Sequence, residues 1–190
     1  MIGKTLIALL IVTIIGSVHS DILLSGPCPS VPVPDDFSWD KIQGSWYVIK
    51  STTDSKGEYD YCPVDKYRVL DNNTITYTNQ FSLEGYLRGQ GGPGLVDPSQ
   101  KNKISIRFRP KASSFDRYIA ATDYKTYIAV FGCKPKGSKQ HEVYGRILSK
   151  ELNAPAESKL AAYLALQNLG IPATTLINAD QDCEFNPSIL

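Results

Sequence analysis

Four cysteines, a lone histidine beyond the N-terminal segment, a glycine-rich run and one Asn-x-Thr triplet are the features of this 190-residue chain whose types and spacing could do chemistry. Cys28, Cys62, Cys133 and Cys183 stand 34, 71 and 50 residues apart. A zinc site needs close pairs, so these spacings fit none. An even number of cysteines behind a secretory leader points to two disulfides, which leaves no thiol for nucleophilic catalysis. Two lie near the chain ends and two inside strand-like segments. That favours tail-to-body bridges without choosing which tail meets which cysteine. His141 lies near a loop and reads as a solvated side chain, not a haem or metal ligand, and no metal site is expected. Gly89-Gln90-Gly91-Gly92-Pro93-Gly94 lacks the Gly-Lys-Ser/Thr ending and the following helix of a phosphate loop, and reads as a flexible loop. Asn72-Asn73-Thr74 is a glycosylation sequon in an expected hairpin turn, whereas Asn186-Pro187-Ser188 is excluded by its proline.

The first 20 residues read as a signal peptide. Lys4 precedes an apolar run from Leu6 to Gly16, and Val18 and Ser20 supply the small residues of a cleavage site. The run is short of the roughly 20 apolar residues of a membrane anchor. Residues 21–190 are then expected to form one secreted, extracellular domain. The chain carries 20 Lys+Arg and 19 Asp+Glu, so loss of Lys4 brings the net charge to zero. A balanced chain without a basic run argues against nucleic-acid binding, which needs a clustered positive face. No second apolar stretch reaches spanning length.

The elements that must position these residues are mostly strands. Residues 21–36 hold four prolines and read as an extended arm. Phe37–Lys41 suggests one helical turn. From Trp46 to about Lys150 the chain alternates short β-branched and aromatic runs with turn signals. These are Trp46–Ser51, Asp65–Leu70, Thr74–Ser82, a glycine-rich and kinked Gly85–Val96, Ile104–Arg109, Phe115–Thr122, Tyr127–Cys133 and His141–Ser149. Eight strands with short links imply an antiparallel meander, closed or sandwiched. The period then changes. Asn153 suits a helix N-cap, Pro155 the first turn and Gly170 the C-cap, with Leu160, Ala161 and Leu164 as the apolar stripe. A lone helix after all the strands must pack outside the sheet.

This order of elements resembles the lipocalin family. Gly44-Ser45-Trp46 matches its first motif, Thr122-Asp123-Tyr124 its second, and Leu148-Ser149-Lys150 its third, with Lys150 where most members carry arginine. The arm from Cys28 to Trp46, with Asp36-Phe37-Ser38-Trp39 inside it, is similar to the branch of insect bilin-binding protein, insecticyanin and apolipoprotein D. So is the tail from Gly170 to Cys183. The resemblance spans about residues 28–183. It implies an all-β, eight-stranded antiparallel up-and-down barrel with one C-terminal α-helix outside, and bridges Cys28–Cys133 and Cys62–Cys183. In such a barrel Trp46 would plug one end, Lys150 would lie over its indole, and Asp123 would accept backbone N–H groups in its turn.

Strand alternation then gives an inward set. It comprises Val48 with Lys50 beyond it, Tyr67 and Val69, Ile75, Tyr77, Asn79 and Phe81, Leu87, Ile104, Ile106 and Phe108, Phe115, Arg117 and Ile119, Ile128 and Val130, and Glu142, Tyr144, Arg146 and Leu148. From it the ligand-binding residues are expected to be Val48, Tyr67, Tyr77, Asn79, Leu87, Ile106, Phe108, Phe115, Arg117, Ile119, Tyr144 and Arg146. Two outcomes are open for the arginines. Either they sit in water or pair with Glu142, or a cationic interior receives a ligand with acidic or enolate groups. The leading expectation is a non-catalytic carrier of a small hydrophobic, pigment-like ligand. The resemblance points to a bilin such as biliverdin, with fatty acid, retinoid or carotenoid as alternatives and no required cofactor. The competing readings are an isomerase-like lipocalin, which would need a free cavity thiol, and a secreted interaction protein acting through its open-end loops. Relatives of this branch form dimers or larger assemblies, so a homo-oligomer is a further expectation.

Overall fold

A computed structural model describes residues 22–52, 61–83, 86–108 and 114–182. Residues 1–20 and Cys183 lie outside the described residues. The strands run in chain order as β1 (Ile22–Ser25), β2 (Gly44–Ser51), β3 (Tyr61–Asp71), β4 (Thr74–Leu83), β5 (Tyr86–Asp97), β6 (Gln100–Ile106), β7 (Phe115–Thr122), β8 (Tyr127–Lys136), β9 (Gln140–Ser149) and β10 (Ile177–Asn178). The helix α1 spans Ala156–Gln167. From β2 to β9 each strand pairs antiparallel with the next, and β9 pairs back on β2, so eight strands close a barrel. Closure removes the free edges that an open sheet of this composition would expose. The β3–β4 turn shows how sequence sets register: Asn72-Asn73 spans it, and the Asn73 N–H donates to Asp71 Oδ1 at 2.8 Å.

Two cores result from the alternation. Inward residues of the eight strands meet inside the barrel, where Trp46, Val48, Ile75, Ile104, Ile119, Ile128, Val130 and Leu148 are all buried. Outward residues of β7, β8 and β9, such as Ala129, Phe131 and Ile147, meet α1 and the segment after it. The arm crosses one end of the barrel. Ser38 caps a short 3-10 turn, Trp39–Ile42, by accepting from the Asp40 N–H. Trp39 Nε1 donates to the Lys101 carbonyl at 2.9 Å, and Asn102 donates to the Pro32 carbonyl at 2.9 Å. That end is therefore shut, and the opposite end is the mouth.

Several expectations are corrected. Ile22–Ser25 of the arm is a strand: β1 pairs with Gln140–Val143 of β9, while β2 takes Arg146–Ser149 of the same edge. His141 is buried, not solvated, and its Nδ1 donates to the Gly26 carbonyl at 2.8 Å. The glycine-rich run is strand, as the strand count has it, but neither kinked nor the flexible loop expected for Gly89–Gly94: it keeps unbroken register with β4 from Thr74↔Leu95 to Leu83↔Tyr86. Its glycines answer a steric demand, since a Cβ at Gly91 would lie 2.5 Å from the Tyr77 carbonyl oxygen. The helix turns the other way from expectation. Ser158, Ala162 and Leu166 face the barrel, and Leu160 and Leu164 are exposed. Small side chains on the inner face let α1 lie close to the sheet, which decides the orientation against the bulkier stripe. Pro155, not Asn153, precedes the first helical residue, and its fixed φ leads into the turn.

The Cys28–Cys133 bridge fastens the arm to β8 across 105 residues. Cys62 is also disulfide-bonded, and its expected partner Cys183 lies outside the described residues. Replacing Cys28 and Cys133 together by serine is expected to lower unfolding free energy by about 2–5 kcal/mol. Urea denaturation of the two proteins checks this.

Candidate functional site

Inside the barrel the strands deliver side chains in three tiers, read from the shut end to the mouth. Along β7 the inward residues are Ile119, Arg117, Phe115, and along β9 they are Leu148, Arg146, Tyr144. On β4 the order is Ile75, Tyr77, Asn79, Phe81, and on β3 it is Val69, Tyr67, Asp65. An aliphatic base is thus followed by a polar middle and an aromatic upper tier. The base is closed to solvent, whereas Phe108, Phe115 and Tyr144 near the mouth are half-buried.

The middle tier converges on Asp65, which has no exposed side-chain surface. Its Oδ2 accepts from Arg117 Nη1 at 2.8 Å, and its Oδ1 accepts from Arg146 Nη1 at 3.0 Å. Oδ1 also accepts from the Tyr77 hydroxyl at 2.7 Å and from Asn79 Nδ2 at 3.0 Å. Burial alone would raise the Asp65 pKa, but the two guanidinium charges and the Tyr77 and Arg117 hydrogen bonds outweigh it and hold the carboxyl below its ordinary 3.8. The guanidinium of Arg117 lies 4.1 Å from the centre of the Tyr77 ring and 5.7 Å from those of Phe115 and Tyr144. Burial pushes the Tyr144 hydroxyl up to about 12 and raises Tyr67 and Tyr77 well above the ordinary phenol value, so all three phenols are neutral near pH 7. The cluster therefore carries two positive charges and one negative.

Its hydrogen bonding is incomplete. Nε of Arg117, Nε of Arg146 and the hydroxyls of Tyr67 and Tyr144 are buried without a hydrogen-bond partner among the described residues. A buried ion cluster gains little over apolar packing of the same volume, and unpaired donors add a cost. Stability does not explain it, which marks it as the candidate site. Tyr144 owes its place to Gly132 directly across β8, since a Cβ at Gly132 would fall 1.5 Å from Tyr144 Cε1.

The barrel places most of the expected ligand-binding residues inside and two of the expected inward residues outside. Val48, Tyr67, Tyr77, Asn79, Ile106, Phe108, Phe115, Arg117, Ile119, Tyr144 and Arg146 all belong to the interior. Leu87 does not. It pairs with Ser82, one step out of phase with the inward Phe81↔Arg88 pair, and directly paired residues share a face. Lys50 is also outside, because a register shift after Val48 reverses its parity. Its Nζ donates to Asn178 Oδ1 at 2.6 Å and lies over Tyr163. The arginines are neither in water nor paired with Glu142, which bonds Lys136 at 2.7 Å. Asp65 was missed as their partner. The signal for it was its parity with Tyr67, two residues away. Among the described residues no group of three His, Cys, Asp or Glu side chains comes together as a metal site.

No protein-family model matches the chain. Curated relatives do. Apolipoprotein D of Macaca fascicularis is 27% identical over 169 residues, covering 85% of this chain and 87% of that one. The mouse protein is 28% identical over 160 residues, covering 82% and 83%. Insecticyanin of the tobacco hornworm superposes with a TM-score of 0.71 at 23% identity, over 85% of this chain and 89% of that one. Lobster apocrustacyanin A1 gives 0.70 at 19% identity, over 86% and 93%. The chain has the lipocalin fold, and its relatives support a place in that family. The residues of the three motifs lie at the shut end. Trp46 is fully buried and its Nε1 donates to the Ile42 carbonyl at 2.7 Å, just behind Gly44 at the start of β2. Lys150 Nζ lies 3.9 Å from the Trp46 ring centre and donates to the Ser45 carbonyl at 3.1 Å, so the lysine holds the place of the usual arginine. Desolvation lowers its pKa. Asp123 accepts from the N–H groups of Lys125, Thr126 and Tyr127, while Thr122 Oγ1 donates to the Tyr127 carbonyl and the Tyr124 hydroxyl to the Asp35 carbonyl. In this barrel those residues hold the shut end together, and the Asp65 cluster lies above them.

Two predictions follow from the cluster. Asp65→Asn leaves two buried cations without a counter-charge and is expected to cost about 3–5 kcal/mol in urea unfolding. Because the folded pKa of Asp65 is depressed, its contribution is present in full above its ordinary value of 3.8 and is lost as pH falls through the lower folded value. The stability gap between wild type and Asp65→Asn should therefore be constant above about pH 5 and shrink below about pH 4. Separately, Gly132→Ala should cost about 1–3 kcal/mol and displace the Tyr144 ring, visible as a change in near-UV circular dichroism.

Proposed function

We propose that this lipocalin is a secreted, non-catalytic carrier of a small hydrophobic ligand held in the mouth-side half of the barrel. The observation that carries the reading is a net-positive buried cluster with unpartnered donors beneath a half-exposed aromatic tier. Ligand sites are concave and mostly apolar, with a few polar groups that fix orientation. Here Phe108, Phe115 and Tyr144 offer the apolar wall, and Arg146, Arg117 and Tyr144 the polar groups. Biliverdin is the ligand proposed first, since it combines a conjugated apolar body with propionate groups. Fatty acids, retinoids and carotenoids meet the same wall with different heads. The isomerase-like reading loses support, because no described cysteine is free. An interaction protein acting through the rim remains the competing reading.

Secretion is supported by the leader-like N-terminus and by the Cys28–Cys133 bridge. Asn72 is exposed in the β3–β4 turn, as a glycosylated asparagine must be. No helix among the described residues is long and apolar enough to cross a membrane.

Protein purified from its source is expected to show visible absorption from a bound pigment. Added biliverdin should shift its own spectrum and quench Trp and Tyr fluorescence. Arg146→Ala should weaken binding by roughly 10–100-fold, the worth of one charge-assisted hydrogen bond. If bilins, retinoids, carotenoids and fatty acids all leave the fluorescence unchanged, the carrier reading fails and the rim-interaction reading takes its place.

A further inference from the structure

The charge balance of the barrel interior says more about the ligand than its shape does. Asp65 accepts from both Arg117 and Arg146, so its single negative charge is shared between two cations. The phenols of Tyr67, Tyr77 and Tyr144 contribute no charge. Among the described residues four other charged side chains share the inward parity nearer the mouth, Arg88, Lys134, Lys136 and Glu142, and none alters the sum inside, since Lys134 is exposed. Glu142 is paired with Lys136, and Arg88 is exposed, with its guanidinium near the Tyr86 ring. Among the described residues the buried interior is left with one uncompensated positive charge, and Nε of both arginines and the hydroxyls of Tyr67 and Tyr144 have no hydrogen-bond partner.

We infer that the site selects ligands by head-group charge, accepting a single monoanionic head and disfavouring both a neutral head and a dianionic one. A buried net charge is costly in a low-dielectric interior, and each added group is judged by what total it leaves. One carboxylate brings the cluster to neutrality, and its two oxygens offer about four acceptor positions to the unpartnered N–H and O–H groups. A hydroxyl head satisfies a donor and leaves the positive charge in place. A head with two carboxylates overshoots and leaves one unpaired negative charge. Arg146 is the more accessible of the two cations, at 12% side-chain exposure against 4% for Arg117, so the head meets Arg146 first. For a diacid such as biliverdin, only one acid reaches the cluster and the other stays at the mouth in water. The inference rests on the carrier reading and refines its ligand class.

Calorimetric titration at pH 8 with dodecanoate, dodecanol and decylmalonate tests it on the intact protein, because chain length is nearly constant while head charge runs from one to zero to two. Dodecanoate is expected to bind at least about tenfold more tightly than either of the others. Equal or tighter binding of decylmalonate overturns the inference, and so does equal binding of dodecanol. Both of those outcomes leave the carrier reading intact. Absence of binding by all three, and by biliverdin, overturns the carrier reading and the inference with it. Arg146→Gln provides a second measurement, read on protein whose thermal unfolding remains cooperative. It removes the surplus charge, so the preference for dodecanoate over dodecanol should fall to within about threefold. Retention of the full preference in that variant counts against the charge account.

Discussion

Asp65 is a carboxylate held by two guanidiniums, a phenol and an amide inside a barrel otherwise lined by aliphatic and aromatic side chains. Those four partners come from β4, β7 and β9, and the carboxylate itself from β3. One ionic contact therefore spans the interior and ties strands that are not neighbours in the sheet. Apolar packing could fill the same volume without the desolvation cost. What it could not do is specify which strands face one another across the barrel, or leave directed donors at the foot of an aromatic cleft. The tiers above and below take their roles from this contact. The aliphatic base excludes water beneath it, and the aromatic tier leads from it to the mouth.

Much of this could be read in the sequence because the governing patterns are local. Period-two alternation placed Ile104, Ile106, Phe115, Arg117, Tyr144 and Arg146 correctly, since one buried face fixes a strand's register. Gly44-Ser45-Trp46 and Thr122-Asp123-Tyr124 are legible through their resemblance to family motifs, and each makes local hydrogen bonds in the fold. Errors arose where long-range packing overruled local preference. The glycine-rich β5 counts as a strand, yet its Gly89–Gly94 run also reads as a loop until the strands beside it show why side chains do not fit. Leu160 and Leu164 made the bulkier stripe, yet the sheet selected Ser158 and Ala162 for closeness. Lys50 was displaced by a register shift that its own neighbours do not announce.

The case of Asp65 is different. Its parity was available, but a single acidic residue at the end of a strand carries no sign of two arginines 52 and 81 residues away. Only the closed barrel brings them together. Buried arginines require an acid, and here the chain itself supplies one. The ligand is thereby left to balance one charge, not two.

The shared edge of β9 has a consequence for how the molecule assembles. Barrel closure joins Tyr47 to Ser149, residues 102 positions apart, and contacts of such separation form late because the intervening chain must first be confined. The Cys28–Cys133 bridge shortens that path. With it in place, the route from Tyr47 to Ser149 runs 19 residues back to Cys28 and 16 on from Cys133. By loop-closure entropy the shorter route lowers the cost of the final pairing by about 1 kcal/mol. The covalent link that fastens the arm in the finished protein thus also serves as an early hinge pin, holding the two ends of an unclosed sheet near enough to find each other.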